Sequence, residues 1–314
     1  MEILFTGASS FTGYWFVRAL AETGHRVTAI FKRPLEEYTG IRAQRVQMAL
    51  PFCTPYFDIR FGTEPFLDLI RSKPKWDLFC HHAADVTDYK SDAFDPIKAL
   101  QNNTHNLPQV LDRLKEQGCN KVLLTGSVFE QREGQGTGPL VAFSPYGLSK
   151  GLTADYFEYY ARTHEVVLGK FVIPNPFGPY EEERFTSHMM GKWLEGQPVH
   201  VRTPLYIRDN VPVTLLAKGY AQFASDLCHS QGSRLFHPSC YAESQGHFTA
   251  RCAAEMRLRI SRPCVVIIED QTSFKEPMKR VNTDRIDWNK VSWDEGAAWD
   301  AFAEYYTTRQ VMTV

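Results

Sequence analysis

The chain lacks an excess of charge of either sign. Its 35 Lys and Arg stand against 36 Asp and Glu over 314 residues, a formal net charge of −1. Without a broad basic field to hold a phosphate backbone, nucleic acid is not an expected partner. No apolar run approaches the ~20 residues that cross a bilayer. The longest, such as Val265-Val266-Ile267-Ile268, have the length of a buried strand. The sequence does not open on a basic stretch followed by an apolar core, so a cytoplasmic location with no membrane partner is expected. Cysteine is sparse and odd in number, seven residues without a Cys-x-x-Cys pair. That argues against a disulfide framework or a zinc site and for reduced thiols. Internal repeats and low-complexity tracts are missing as well. What is present is 43% hydrophobic and 13% aromatic residues, enough to bury a substantial core.

The first half alternates short apolar runs with helical periodicities. Strands are expected at 2–5, 26–31, 57–59, 77–81, 121–125 and 166–173, and helices at 12–23, 65–73, 97–117 and 146–164. Nearly continuous apolar strands separated by helices imply a parallel sheet covered on both faces. The turn-rich Asn175-Pro176-Phe177-Gly178-Pro179 breaks the pattern. Beyond it, helices are expected near 185–194, 213–227 and 293–306, with strand-like pieces at 234–237 and 264–268.

Thr6-Gly7-Ala8-Ser9-Ser10-Phe11-Thr12-Gly13 directly follows the first strand and opens the first helix. Gly7 permits a tight turn, and Gly13 lets helix and strand pack closely. The amides around Ser9, Ser10 and Phe11 then face an anion such as a pyrophosphate. Ser10 stands where a third glycine is usual, which is tolerable if its φ is negative, and its hydroxyl could itself meet a phosphate. At the end of the second strand a carboxylate would bind the ribose hydroxyl of NAD. That position is Phe31, followed by Lys32 and Arg33. Two cations and no carboxylate favour NADP(H), with NAD(H) as the alternative. Asp58 and Ile59 could meet the adenine. Ala83 and Ala84, after His81-His82, allow close backbone approach to a cofactor. The two histidines have no third ligand nearby, so no metal is expected. The fold expected is α/β, a Rossmann-type doubly wound parallel sheet with a smaller interleaved substrate-binding lobe. Residues 1–175, with 206–240 returning, would form the NAD(P)-binding domain, and 176–205 with 241–314 mainly the lobe.

Ser144-Pro145-Tyr146-Gly147-Leu148-Ser149-Lys150 carries the strongest chemical signal. Residues four apart on a helix share a face, so Tyr146 and Lys150 would project into one space. A neighbouring ammonium would lower the phenol from its usual pKa of ~10 and make it a general acid or base. Leu124-Thr125-Gly126-Ser127-Val128-Phe129 ends the preceding strand, where a hydroxyl could bind the substrate oxygen beside Tyr146.

With these pieces in order, the chain resembles the extended short-chain dehydrogenases/reductases, in the NAD(P)-dependent epimerase/dehydratase group that acts on nucleotide sugars. The matching segments are 6–13, 58–59, 81–84, Thr125 with Val128-Phe129, Tyr146-x-x-x-Lys150, 175–179 and Arg208-Asp209, about two-thirds of the chain. The resemblance implies that Tyr146 exchanges a proton with the sugar oxygen and that Lys150 binds the nicotinamide ribose. Thr125 would complete the catalytic set, with Ser127 as fallback and substrate contact. Asn175 would contact substrate near its phosphates, and Arg208 would pair with the diphosphate; Ile173 would border the cofactor. Sugar 4,6-dehydratases of the group carry Asp-Glu where this chain has Gly126 and Ser127, which leaves dehydration without its acid and base. An NADPH-dependent reductase of a nucleotide-linked 4-keto-6-deoxy sugar is therefore expected. A nucleotide-sugar 4-epimerase with tightly bound NAD(P) and a non-catalytic NADP-binding regulatory protein are the alternatives. Family members often dimerise through helices corresponding to 100–117 and 146–164, so a homodimer is expected. The segment Glu181-Glu182-Glu183 reads equally as a substrate loop or a charged helix start.

Overall fold

The computed structural model describes residues 1–273 and 276–312. Contacts divide the chain into two compact units. The first comprises Met1–Glu133, Leu140–Ile173 and Ala217–His237, the second Gly134–Pro139, Pro174–Leu216 and Pro238–Val314. The division differs from the sequence expectation at 134–139, 174–175, 206–216 and 238–240. The strand Ile207–Pro212 hydrogen-bonds to Tyr241–Ser244, Lys279–Val281 and Asn175–Phe177, so ladder pairing holds it in the second unit.

The first unit is built on seven parallel strands: β1 (Glu2–Thr6), β2 (Arg26–Ile30), β3 (Thr54–Tyr56), β4 (Leu78–His81), β5 (Lys121–Ser127), β6 (Val167–Ile173) and β7 (Arg234–Phe236). Their order is β7-β6-β5-β4-β1-β2-β3. The direction of winding reverses between β1 and β4, and in such sheets ligands bind outside the carboxyl ends of the strands at that point. Each face is apolar because each is covered. On one face Leu4, Phe79, Val122 and Leu124 meet Leu111 and Phe157 from the helices Leu107–Glu116 and Pro145–Thr163. On the other, Phe16 of the helix Phe11–Glu22 stacks on Tyr220 at 4.0 Å, and both abut Phe171. Buried aromatics of this size contribute roughly 1.5–3 kcal/mol each by area.

Several elements differ from the sequence pattern for local reasons. The expected helix over 97–117 is two helices, Pro96–Asn103 and Leu107–Glu116. Between them Asn106 takes φ 51°, and Pro108 can supply no amide to a continuous helix. The third strand lies at Thr54–Tyr56 rather than 57–59, since Asp58 sits in the left-handed region at φ 55°. The helix Gly40–Ala49, which buries Arg45, Val46 and Ala49, has too few apolar residues to stand out by period.

The second unit has a mixed sheet of short strands, Tyr241–Ser244, Ile207–Pro212, Lys279–Val281 and Gln135–Gly136 in order, with Asn175–Phe177 beside Ile207–Pro212. Its core gathers Phe177, Met190, Trp193, Phe248, Trp299 and Phe302. Trp193, Met189 and Met190 are thus packing residues. All seven cysteines are free thiols, and among the described residues no helix is long and apolar enough to cross a membrane.

Candidate active site

The phosphate loop is shaped by what its glycines leave out. Gly7 takes φ +86°, and a Cβ there would lie 2.7 Å from the Ala83 nitrogen and 2.9 Å from the His82 carbonyl carbon. A Cβ on Gly13 would lie 2.1 Å from the Gly7 oxygen. Loop, helix and the end of β4 can approach this closely only because both are glycine. Ser10 has φ −77° and caps the helix Phe11–Glu22, its Oγ accepting from the Gly13 amide at 3.1 Å. The same hydroxyl donates to the Gly7 carbonyl at 2.9 Å. It is spent on the loop itself rather than left for a phosphate. Such a cap is worth ~1 kcal/mol, and the helix N-terminus behind it favours an anion. These residues fit a dinucleotide pyrophosphate.

At the end of β2 the chain gathers cations. The Asp58 amide donates to the Arg33 carbonyl at 3.2 Å and the Ile59 amide to the Phe31 carbonyl at 3.2 Å, which draws 58–60 alongside 31–33. Lys32 feels four neighbours. Partial desolvation lowers its pKa, Asp85 opposes this, and the like charges of Arg42, Arg33 and Arg60 add to it. Arg42 and Arg60 were not singled out by the sequence pattern, because one lies on an unremarkable helix and the other in a loop. Asp85 is itself pinned by Asn102 Nδ2 at 2.7 Å and by the Thr87 amide at 3.1 Å.

The ends of β4 and β5 carry the polar centre of the first unit. His81 Nδ1 lies 3.1 Å from Thr6 Oγ1 and its Nε2 3.2 Å from the Asn103 carbonyl. His82 bridges Thr125 Oγ1 at 3.0 Å to Ser10 Oγ at 3.0 Å and Thr12 Oγ1 at 3.1 Å. Burial, followed by the nearby Lys150 charge, pushes both imidazoles down to about 3. The Ala83 amide donates to Thr6 Oγ1 at 3.3 Å, with Ala84 next in the chain.

Tyr146 and Lys150 lie on the helix Pro145–Thr163, capped by Ser144, whose Oγ accepts from the Gly147 amide at 3.0 Å. Lys150 is 5% exposed, and its Nζ donates to the Thr125 carbonyl at 2.6 Å. Burial pushes Lys150 down to about 8, with Glu130 opposing and Lys170 reinforcing the shift. Tyr146 is half-buried beside the rings of Tyr89 and Phe94, at 5.2 and 6.1 Å. Its phenol is pushed up, not down, first by desolvation and then by the Glu130 charge and Tyr89. The sequence expectation of a phenol acidified by Lys150 is corrected here. The ammonium is aimed at a backbone carbonyl, and the dominant charge on the phenol is a carboxylate.

That carboxylate was missed by the sequence pattern. Glu130 is fully buried; its Oε1 accepts from the Ser127 amide at 2.6 Å and its Oε2 pairs with Lys170 at 2.6 Å. Lys170 also pairs with Glu133 at 2.5 Å, which in turn meets His237 Nε2 at 2.5 Å. Gly126 makes room, since a Cβ there would lie 2.7 Å from Lys170 Cε and 3.1 Å from Glu130 Oε1. The Ser127 hydroxyl accepts from the Phe129 amide at 3.2 Å, and Ile173 pairs in register with Ser127.

Asn175 and Arg208 belong to the second unit. Asn175 pairs in register with Asn210. Arg208, 3% exposed, has its Cζ 3.5 Å from the Tyr206 ring centroid, and Nη2 donates to Glu276 at 3.0 Å. Tyr206 also donates to Glu276. The guanidinium is therefore already matched to a carboxylate, and an incoming diphosphate would have to take Glu276's place. Glu181 lies in the irregular segment between the strand Asn175–Phe177 and the helix Phe185–Leu194, with its side chain buried. It is 3% exposed, accepts from Tyr306 at 2.6 Å and Thr186 at 2.8 Å, and burial pushes it up to about 7.

The model of the NAD dependent epimerase/dehydratase family matches residues 3–223. Among solved structures the chain is similar to the UDP-glucose 4-epimerase of Thermotoga maritima, at 18% identity and a TM-score of 0.72 over 99% of this chain and 100% of that one. It is similar to the UDP-glucuronic acid 4-epimerase of Bacillus cereus, solved with UDP-glucuronic acid and NAD, at 15% identity and a TM-score of 0.71 over 98% and 100%. It is also similar to the dTDP-glucose 4,6-dehydratase of Streptomyces venezuelae with NAD bound, at 16% identity and a TM-score of 0.70 over 99% and 98%. At these identities the likeness is one of fold. No curated protein matches the chain.

Proposed function

The chain belongs to the NAD dependent epimerase/dehydratase family, and from that premise we propose that it is an NADPH-dependent reductase of a nucleotide-linked 4-keto-6-deoxy sugar. The observation that carries the choice of NADPH is the cation group at the end of β2. Arg33, Arg42 and Arg60 act on Lys32 there, against Asp85, where a ribose 2′-phosphate would lie in a fold of this kind. Gly7, Ser9, Ser10, Phe11 and Gly13 would hold the pyrophosphate, and Asp58, Ile59, Ala83, Ala84 and Ile173 would border the rest of the cofactor. When bound, the reduced nicotinamide supplies the hydride for the sugar C4. Tyr146 supplies the proton to the oxygen. A phenol kept protonated by burial and by Glu130 is in the state from which reduction starts. Lys150 would bind the nicotinamide ribose. Thr125, with Ser127 near it, would meet the substrate oxygen, while Asn175 and Arg208 would serve the nucleotide diphosphate. Absence of carboxylates at Gly126 and Ser127 supports reduction over dehydration.

The test is NADPH oxidation with a panel of nucleotide-linked 4-keto-6-deoxy sugars. Turnover that is abolished in Tyr146→Phe is expected. No turnover by the wild-type protein, or undiminished turnover in the variant, refutes the reading. The family's own scope supports a second reading, a nucleotide-sugar 4-epimerase. It requires interconversion of two sugars with no net change in cofactor absorbance. A homodimer would use the helix Pro145–Thr163. Its Phe157 is core, but Tyr159 is 53% exposed and Leu148 39%; light scattering decides the mass.

A further inference from the structure

The loop that leaves β4 turns its two large rings onto one residue. Both of its ends are pinned to the helix Pro96–Asn103. The Asp85 amide donates to Asn103 Oδ1 at 2.7 Å, and Asp95 Oδ1 caps the helix start by accepting from the Ile97 and Lys98 amides at 2.9 and 3.0 Å. Between these ends the chain turns tightly, with Asp88 at φ 53° and the Ser91 amide donating to the Asp88 carbonyl at 2.8 Å. From Val86 to Asp95 every residue is exposed except Tyr89 and Phe94. Both meet the ring of Tyr146, Tyr89 tilted at 5.2 Å and Phe94 edge-on at 6.1 Å. Phe94 offers only apolar surface. Tyr89 carries a hydroxyl as well, and among the described residues that hydroxyl makes no hydrogen bond. It is close enough to act on the Tyr146 phenol electrostatically.

We propose that Tyr89 is a substrate-binding residue whose hydroxyl bonds the sugar hydroxyl on the carbon next to the reacting carbonyl, and so selects sugars that carry it. The inference rests on the proposed reading, with the keto oxygen at C4 held by Tyr146. In a 4-keto-6-deoxy sugar C4 has two neighbours. C5 bears a methyl group, which has no use for a phenol. C3 bears the one hydroxyl vicinal to the carbonyl. A phenol both donates and accepts, so it can bond that hydroxyl whichever way its proton points. A site that bonds a substrate hydroxyl disfavours the analogue without it. The C3 hydroxyl does not change in the reaction. Its bond therefore contributes alike to bound substrate and transition state, and shows in KM more than in kcat.

The test is a two-by-two comparison. Wild type and Tyr89→Phe are each assayed with a nucleotide-linked 4-keto-6-deoxy sugar and with its 3-deoxy analogue. In wild type the analogue should have a KM about tenfold higher, the scale of one hydrogen bond. Tyr89→Phe keeps the ring on Tyr146 and loses only the hydroxyl. In it, KM for the 3-hydroxy sugar should rise by the same factor, and the two sugars should become equivalent. The NADPH KM should not move. No preference in wild type, a preference that survives in Tyr89→Phe, or an effect confined to kcat overturns the proposal. Calorimetry with the NADP+ complex and the reduced product sugars, 3-hydroxy and 3-deoxy, repeats the comparison without turnover and should give the same factor in Kd. If wild type neither reduces nor binds any nucleotide sugar, the functional reading falls and the inference with it. If calorimetry shows the factor and the panel shows no turnover, the reductase reading falls and the contact stands. If turnover is found and Tyr89 shows no coupling to the 3-hydroxyl, the inference alone falls.

Discussion

Replacing Lys150 by methionine separates the cost of a buried ammonium from its use. In the unfolded chain Lys150 titrates at 10.5, and in the fold burial brings it to about 8. Between those values the unfolded chain binds more protons than the folded one, so stability rises with pH through the window. The gap is roughly 2.5 pKa units, which at 1.36 kcal/mol per unit is about 3 kcal/mol. Below pH 8 the folded protein carries that penalty in full, and above 10.5 it carries none. Lys150→Met has no such group. The lost bond to the Thr125 carbonyl costs the variant about 1–3 kcal/mol, but to a first approximation by the same amount at every pH. The measurement is urea unfolding of wild type and variant in parallel from pH 6.5 towards ~10. The stability of the wild type relative to the variant should climb by up to about 3 kcal/mol as the pH passes upward through the window. Other titrating groups cancel in the difference. A difference flat with pH would mean that Lys150 is solvated and that its placement between Thr125 and Glu130 is wrong. The variant should also lose activity.

Two more predictions follow from the same unit. Arg42→Ala and Lys32→Ala should each raise the NADPH KM about tenfold, the scale of a lost charge-assisted bond, and leave the NADH KM nearly unchanged; equal effects on both cofactors would remove the 2′-phosphate from that corner. Gly126→Ala should destabilise the fold by about 1–3 kcal/mol, because its Cβ would press on Lys170 Cε at 2.7 Å and the Lys170 ammonium is held on Glu130 and Glu133 and cannot swing aside without leaving them; a variant with the wild-type urea midpoint would refute the tight packing of Lys170 and Glu130.

The parallel sheet was legible because its strands are short and nearly continuously apolar and its turns carry their own chemistry, as at Gly7 and Gly13. The glycine loop, the cations at Lys32 and Arg33 and the Tyr146/Lys150 pair are local in sequence, so a pattern finds them. What the pattern missed is held together by tertiary contacts. Arg42 and Arg60 reach Lys32 from a helix and a loop that periodicity does not rank. The break at Asn106 turns on one left-handed residue. The second unit was legible only in outline, since its strands are two to six residues long and pair with partners far away in sequence. The acidified phenol failed for a physical reason. Helical spacing puts Lys150 and Tyr146 on one face, but the ammonium donates to the Thr125 carbonyl.

Glu130 ties these corrections together. The positions that would carry an acid and a base for dehydration are Gly126 and Ser127, yet a carboxylate is present from four residues beyond Gly126, filling the space its missing Cβ leaves. Oε1 is bound by the Ser127 amide and Oε2 by Lys170. A carboxylate clamped on both oxygens exchanges protons with a substrate poorly, but its field acts at a distance. It pushes the Tyr146 pKa up and helps keep Lys150 charged against burial. A proton donor needs the first effect and a ribose-binding cation the second. The same residue thus favours a protonated tyrosine beside a charged lysine, which is the pairing a reduction starts from and an oxidation has first to undo.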